Sequence, residues 1–214
     1  MGYTATLAGM ALAPVGLLAL FLTPLVGRNV SRIDPRILAS TAFSIFAVVM
    51  LMRSHFNTQV DFGTIMIPTI VQGAALAFFF IPLVTLTLSG LSPEQMPAAS
   101  GLSNFLRISA GSFGTSISTT LWDHRATLHH AQLAEKLTPY DPATTQALAN
   151  LQAGGLTQDQ ALGALNRMVD QQAALLSATD IFYMSAMLFL GLIAIVWLAK
   201  PAKGPASAEA AGAH

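Results

Sequence analysis

Residues 2–27, GYTATLAGMALAPVGLLALFLTPLVG, hold no charged side chain. As a helix rising about 1.5 Å per residue, this stretch would extend roughly 39 Å, more than the roughly 30 Å hydrocarbon core of a bilayer. It reads as a membrane span with length to spare for tilt. Four further apolar runs follow, so the expected spans are Ala5–Val26, Ile37–Met52, Thr64–Leu88, Ala98–Leu121 and Ser177–Ala199. Each is expected to be helical, because an open sheet edge finds no hydrogen-bond partner in lipid. The second run is short, and Arg36 and Arg53 at its flanks could snorkel to the two interfaces and relieve the mismatch. The third carries Pro68 and Pro82, which predict kinks.

Composition agrees with this class. Charged residues make up 9% of the 214, hydrophobic residues 53%, and mean hydropathy is +0.59, a balance foreign to soluble domains. The formal net charge of zero offers no global basic field for nucleic acid. The chain has no cysteine, which removes disulfides, thiolate catalysis and cysteine-based metal sites. Met1-Gly2-Tyr3-Thr4 enters the first span without the basic region of a cleavable signal peptide. No phosphate-cradling glycine loop with its lysine is present, and no span pairs a nucleophile with a base, so neither ATP hydrolysis nor another enzymatic activity is expected of this chain.

The expected organisation is four spans over residues 1–121, an external loop over 122–176, a last span over 177–199 and a disordered tail over 200–214. The loop is too polar to cross and too poor in apolar residues to build a core. Leu148, Leu151, Leu156, Leu162, Leu165 and Met168 recur in it at near-helical spacing around Gly154-Gly155, which predicts two short amphipathic helices lying over the membrane face or on a partner. Basic residues set the orientation. Arg28, Arg32, Arg36, Lys200 and Lys203 collect on one side and Arg53 alone stands in the short loop opposite, so the C-terminus is expected in the cytoplasm and the loop outside.

Several local sequences then point to a family. Gly2-Tyr3-Thr4-Ala5-Thr6 followed by Ala13-Pro14-Val15-Gly16, the turn Pro24-Leu25-Val26-Gly27-Arg28, the run from Ile81-Pro82 to Gly90-Leu91, and Ala99-Ser100-Gly101-Leu102-Ser103-Asn104-Phe105-Leu106-Arg107 resemble the EmrB/QacA branch of the major facilitator superfamily. The similarity continues through Leu121-Trp122, His129-His130 and Ile181-Phe182-Tyr183 to Ala199-Lys200-Pro201. It implies a proton-driven exporter of hydrophobic, drug-like compounds with fourteen spans, of which these are the last five. It also implies a multi-pass protein of the bacterial inner membrane that works with the missing amino-terminal helices and, in double-membrane bacteria, with a periplasmic adaptor and an outer-membrane channel. The alternative is a membrane assembly module or half-transporter that moves nothing by itself and packs against a partner chain.

Candidate functional residues follow. Gly27, Arg28, Arg32, Asp34 and Arg36 resemble a degenerate copy of the superfamily's cytoplasmic loop motif, a gate that would break when the two halves rock; the plain alternative is positive-inside topology. Arg107 falls about ten residues into the fourth span, where a guanidinium costs on the order of 3 kcal/mol, so it should face a cavity or a partner; the alternative is that it pairs with helix-end carbonyls or snorkels to the cytoplasmic interface. Asn104, Gln72 and Phe79 are further candidates for substrate contact. Gly101, Ser103, Ala110, Gly111, Gly114, Thr115 and Ser118 give the fourth span a stripe of small residues that fits close helix contact or, alternatively, a cavity wall. Asp180 near the external end of the last span is a proton-relay candidate or a helix cap. His124, His129 and His130 do not share one helical face, so no metal site is expected, and no cofactor is implied.

Overall fold

The structure, a computed structural model, describes residues 5–29, 32–88 and 90–198. The expected tail, with Lys200 and Lys203, lies outside them. The described residues form six helices and no strand: α1 (Ala5–Asn29), α2 (Pro35–Ser54), α3 (Phe62–Leu88), α4 (Met96–Lys136), α5 (Pro142–Ala153) and α6 (Gln158–Leu198). Four of them, α1, α2, α3 and α6, are long and apolar enough to cross a membrane. The remaining expected span, Ala98–Leu121, is the first part of α4. It falls short of that hydropathy because Asn104, Arg107 and a run of Ser, Thr and Gly dilute its apolar residues.

The core is built on α2, which packs against both α3 and α6. Its buried residues come in neighbouring pairs one turn apart, Leu38-Ala39, Ala42-Phe43 and Phe46-Ala47. Pairs at that spacing form one wide stripe that can serve two neighbours. Phe46 stacks on Phe189 of α6 with centroids 5.0 Å apart and meets Phe79 of α3 edge-on at 5.8 Å, while Phe43 reaches the same two rings at 6.0 and 5.9 Å. Nearer the other end of α6, Trp197 Nε1 donates to Ser40 Oγ at 3.2 Å.

From this centre the packing runs outward in two directions. Among the described residues, helix α1 touches only α3, and α4 rests on α6 and barely meets α3. The α1–α3 contact closes on Gly73, where an added Cβ would stand 2.5 Å from the Val15 carbonyl oxygen and 3.1 Å from the Leu18 Cβ. Only a glycine permits backbones that close. Buried Pro68 and Pro82 interrupt the amide ladder of α3 on either side.

The segment from Trp122 to Leu176, expected as a loop with two short helices around Gly154-Gly155, is helical on both sides of that pair, in α5 and in the first part of α6. It contains a single separate helix, α5, because the chain before and after it continues α4 and α6, each 41 residues long. At about 1.5 Å per residue each extends roughly 61 Å, about twice the hydrocarbon core. The sequence turns polar near residues 122 and 176, yet no proline interrupts either helix there, and a helix needs no hydropathy to continue. Asp141 caps α5, its carboxylate accepting from Thr144 N at 2.9 Å, with Pro142 in the first turn. Gly155, at φ +93°, takes the left-handed turn that ends α5. Thr157 and Gln160 then bond reciprocally in a capping box, Thr157 N donating to Gln160 Oε1 at 3.0 Å and Gln160 N to Thr157 Oγ1 at 3.4 Å.

Candidate functional site

The sequence candidates separate into four places. Asn104 and Arg107 lie one turn apart on α4, and Arg107 Nη2 donates to Asn104 Oδ1 at 2.8 Å. Both are exposed, and no residue of α4 is buried. The small residues Gly101, Gly111 and Gly114 have open space where a Cβ would stand. Phe105 and Phe113 beside them are 64% and 70% exposed. This face therefore combines a cation, a carboxamide, thin side chains and aromatic rings, with no covering helix among the described residues.

Gln72 and Phe79 of α3 are not part of that face. Phe79 belongs to the aromatic cluster with Phe43, Phe46 and Phe80, so its ring serves packing between α2 and α3. Gln72 Oε1 accepts from Arg53 Nη2 at 2.7 Å. Arg53, expected to snorkel, therefore has a side-chain partner on α3. Its guanidinium stands 6.0 Å from the centroid of Phe182, and the residue is half-buried.

The turn between α1 and α2 shows how its motif residues are used. Asp34 caps α2, accepting from Arg36 N at 2.9 Å, and Arg28 sits in the last turn of α1, where a cation complements the helix dipole. Gly27 lies against Ile81, a Cβ there meeting Ile81 Cδ1 at 3.7 Å. Arg32 is exposed; Arg36 is half-buried, and its Nε has no hydrogen-bond partner among the described residues. Among the described residues no ion pair joins any two of these, so within this chain Asp34 acts as a cap rather than as one arm of a clasp.

Asp180 sits inside α6 rather than at its start. Its Oδ2 accepts from Arg125 Nη1 at 3.2 Å and lies 2.8 Å from His129 Nε2, both on α4. Farther out, His130 Nε2 is 3.2 Å from Asp170 Oδ1 and 3.4 Å from Asn166 Oδ1. These contacts tie the outer parts of α4 and α6 together. Sequence reasoning missed them because it placed Arg125 and His129 in a loop. Their spacing of four residues puts them on one face once α4 is known to continue. Just inward, Ser118, Thr119, Trp122, Asp123 and Ile181 line an open cleft of about 330 Å³. Among the described residues no group of three or more His, Asp or Glu side chains is arranged to hold a metal ion.

Outside the spans, two carboxyls are displaced from their usual range. The Thr64 hydroxyl, and after it the Thr64 amide, hold Asp61 below the ordinary carboxylate value. The hydroxyl and amide of Thr144 do the same for Asp141.

Comparison with known proteins adds relatives along the whole chain. It is 46% identical over 214 residues to the multidrug export protein EmrB of Escherichia coli (strain K12), covering 100% of this chain and 42% of that protein. The fatty acid resistance protein FarB of Neisseria gonorrhoeae is 43% identical over 201 residues, 94% of this chain and 40% of the relative. The multidrug export protein EmrB of Haemophilus influenzae is 42% identical over 203 residues, again 94% and 40%. The chain thus spans about two fifths of the length of these relatives. No family model and no solved structure matches it.

Proposed function

We propose that this chain, similar along its whole length to EmrB-type multidrug exporters, supplies the carboxy-terminal helices of a proton-coupled transporter of the major facilitator kind that exports hydrophobic compounds by alternating access. In this reading the whole protein lies in the bacterial inner membrane with the C-terminus of α6 on the cytoplasmic side. The hairpin from Trp122 to Leu176 stands outside, where a periplasmic adaptor leading to an outer-membrane channel could meet it. Drug-like compounds would be the cargo, as the names of the EmrB relatives indicate for those proteins.

One observation carries the reading. Helix α4 exposes the Arg107–Asn104 pair and buries none of its residues. A guanidinium turned toward hydrocarbon costs on the order of 3 kcal/mol, so in the membrane this face must meet water or other protein. A wall of thin side chains with a cation and a carboxamide suits a cavity that passes apolar molecules carrying a polar group. Helices from the rest of the protein would close the cavity on its far side.

Because this chain contributes no cysteine, single cysteines placed in the whole protein can test the assignment. Asn104→Cys and Gly111→Cys should react with a membrane-impermeant maleimide and be shielded by a transported compound. Leu188→Cys, on an exposed apolar position of α6, should remain unlabelled. Equal inertness at all three positions would remove the cavity from α4. For the external segment, deletion of residues 138–170 should abolish adaptor pull-down and efflux; retention of both would rule out the hairpin as the adaptor's contact.

A further inference from the structure

The last turn of α2 holds a cation that has no counter-charge among the described residues. Arg53 has five N–H donors, and the side chains around it supply one carboxamide oxygen, that of Gln72 at 2.7 Å, and the face of Phe182. Every ion pair among the described residues uses Arg125, His129 or His130 instead. Asp61, the nearest acid along the sequence, is occupied at the start of α3, where its Oδ1 accepts from Thr64 N at 3.1 Å and from the Thr64 hydroxyl. The exposed Arg28 and Arg32 can be satisfied by water. Arg53, in contrast, is half-buried among α2, α3 and α6 at the end of a span, where hydration is poorer and an uncompensated charge is costly.

We propose that Arg53, oriented by Gln72 and backed by Phe182, receives the anionic headgroup, carboxylate or phosphate, of an amphiphile whose alkyl chain lies in the bilayer. A planar guanidinium matches both headgroups through paired N–H donors. The Gln72 carboxamide fixes one edge of the fork and leaves the others for the ligand. The position at the mouth of the helix packing lets the headgroup reach the cation while the tail stays in hydrocarbon. The site is separate from the Arg107 face on α4 and does not depend on the export reading.

The test uses the whole protein in detergent and in nanodiscs, with dioleoylphosphatidylglycerol and laurate as probes and dioleoylglycerol and dodecanol as uncharged controls. Native mass spectrometry reads lipid retention and a competition assay reads laurate. The charged probe of at least one pair should bind in preference to its control, and Arg53→Gln should weaken that binding by about tenfold or more. The decisive variant is Gln72→Glu. It places a carboxylate where the carboxamide stands, satisfies the guanidinium internally, and should remove anion binding while the protein still melts at or above the wild-type temperature. Preference for phosphatidylglycerol alone would identify a lipid phosphate as the occupant, and preference for laurate alone a free carboxylate. No preference for either charged probe, or wild-type binding in a folded Gln72→Glu variant, would overturn the proposal.

Discussion

Helices α2 and α4 invert the rule of soluble proteins, and the inversion locates what each is for. The apolar α2 is the most enclosed helix, with Leu38, Ala39, Ala42, Phe43, Phe46, Ala47 and Val49 buried against α3 and α6. The more polar α4, twice as long, buries nothing. In water such a polar helix would simply be the solvated one. In a bilayer the polar helix is the one that lipid cannot cover, because every exposed polar group there loses its hydrogen-bond partners. Helix α2 is therefore the structural axis of the chain, whereas α4 presents an uncovered face, which in the proposed reading lines a cavity or meets the helices that close it.

The largest expected effect comes from the tightest backbone contact. Gly73→Ala would drive a Cβ to 2.5 Å from the Val15 carbonyl oxygen, backbone that cannot move aside without separating α1 from α3. Most of the folded protein should be lost, as read by fluorescence-detected size exclusion in mild detergent. Gly111→Ala, one turn beyond Arg107 on α4, meets nothing within 4 Å and exchanges a poor helix former for the best one, a gain of about 1 kcal/mol in an exposed helix. It should be tolerated in the whole protein if α4 faces a cavity. Damage comparable to that of Gly73→Ala would instead reveal a tightly packed neighbour at that point.

The aromatic rings sharpen the same contrast on a smaller scale. Phe46→Ala removes a stacked ring from between α3 and α6 and should cost about 3–5 kcal/mol, the usual range for a buried phenylalanine. Phe113→Ala, on the exposed face of α4, should leave the melting temperature within experimental scatter while altering transport. Thermal denaturation of the two variants side by side, with drug susceptibility measured in parallel, separates structure from function. Equal destabilisation by both would erase the distinction between the helices.

Much of this contrast was legible in the sequence, and its limits have physical causes. The apolar runs placed α1, α2 and α3 to within a few residues, since burial in lipid and helix formation are enforced by the same stretch. Arg107 stood out because a charge inside a span is rare and costly. The outer halves of α4 and α6 were not legible as continuous helices, because a change of solvent at Trp122 and Leu176 changes polarity without changing the backbone. The local signals were there in Asp141-Pro142 and in Thr157-x-x-Gln160, which mark where α5 and α6 start. Contacts such as Arg53 with Gln72, 19 residues apart, or His129 with Asp180, 51 apart, arise from packing between helices, which no local pattern encodes. The same packing moved Phe79 and Gln72 away from the face on which Arg107 and Asn104 stand.

The smallest expected effect is a difference in acid response between the packed centre and the hairpin that α4 and α6 carry. The Thr144 hydroxyl and amide hold the Asp141 carboxyl below its ordinary range. A carboxyl depressed in the folded state binds protons less readily there than in the unfolded chain, so its contribution is complete above the unfolded value of about 3.9 and is lost as pH falls through the folded value. Below about pH 4 the start of α5 should therefore fray. Amide exchange of residues 142–153, followed by mass spectrometry after correction for the intrinsic pH dependence of exchange, should show protection falling in that window, while residues 38–49 of α2, which contain no acidic side chain, stay protected. Asp141→Ala should fray at neutral pH and lose the dependence altogether. If α2 opened in the same window, the hairpin and the centre would form one cooperative unit, and the separation drawn between α2 and α4 would apply to their surfaces but not to their stability.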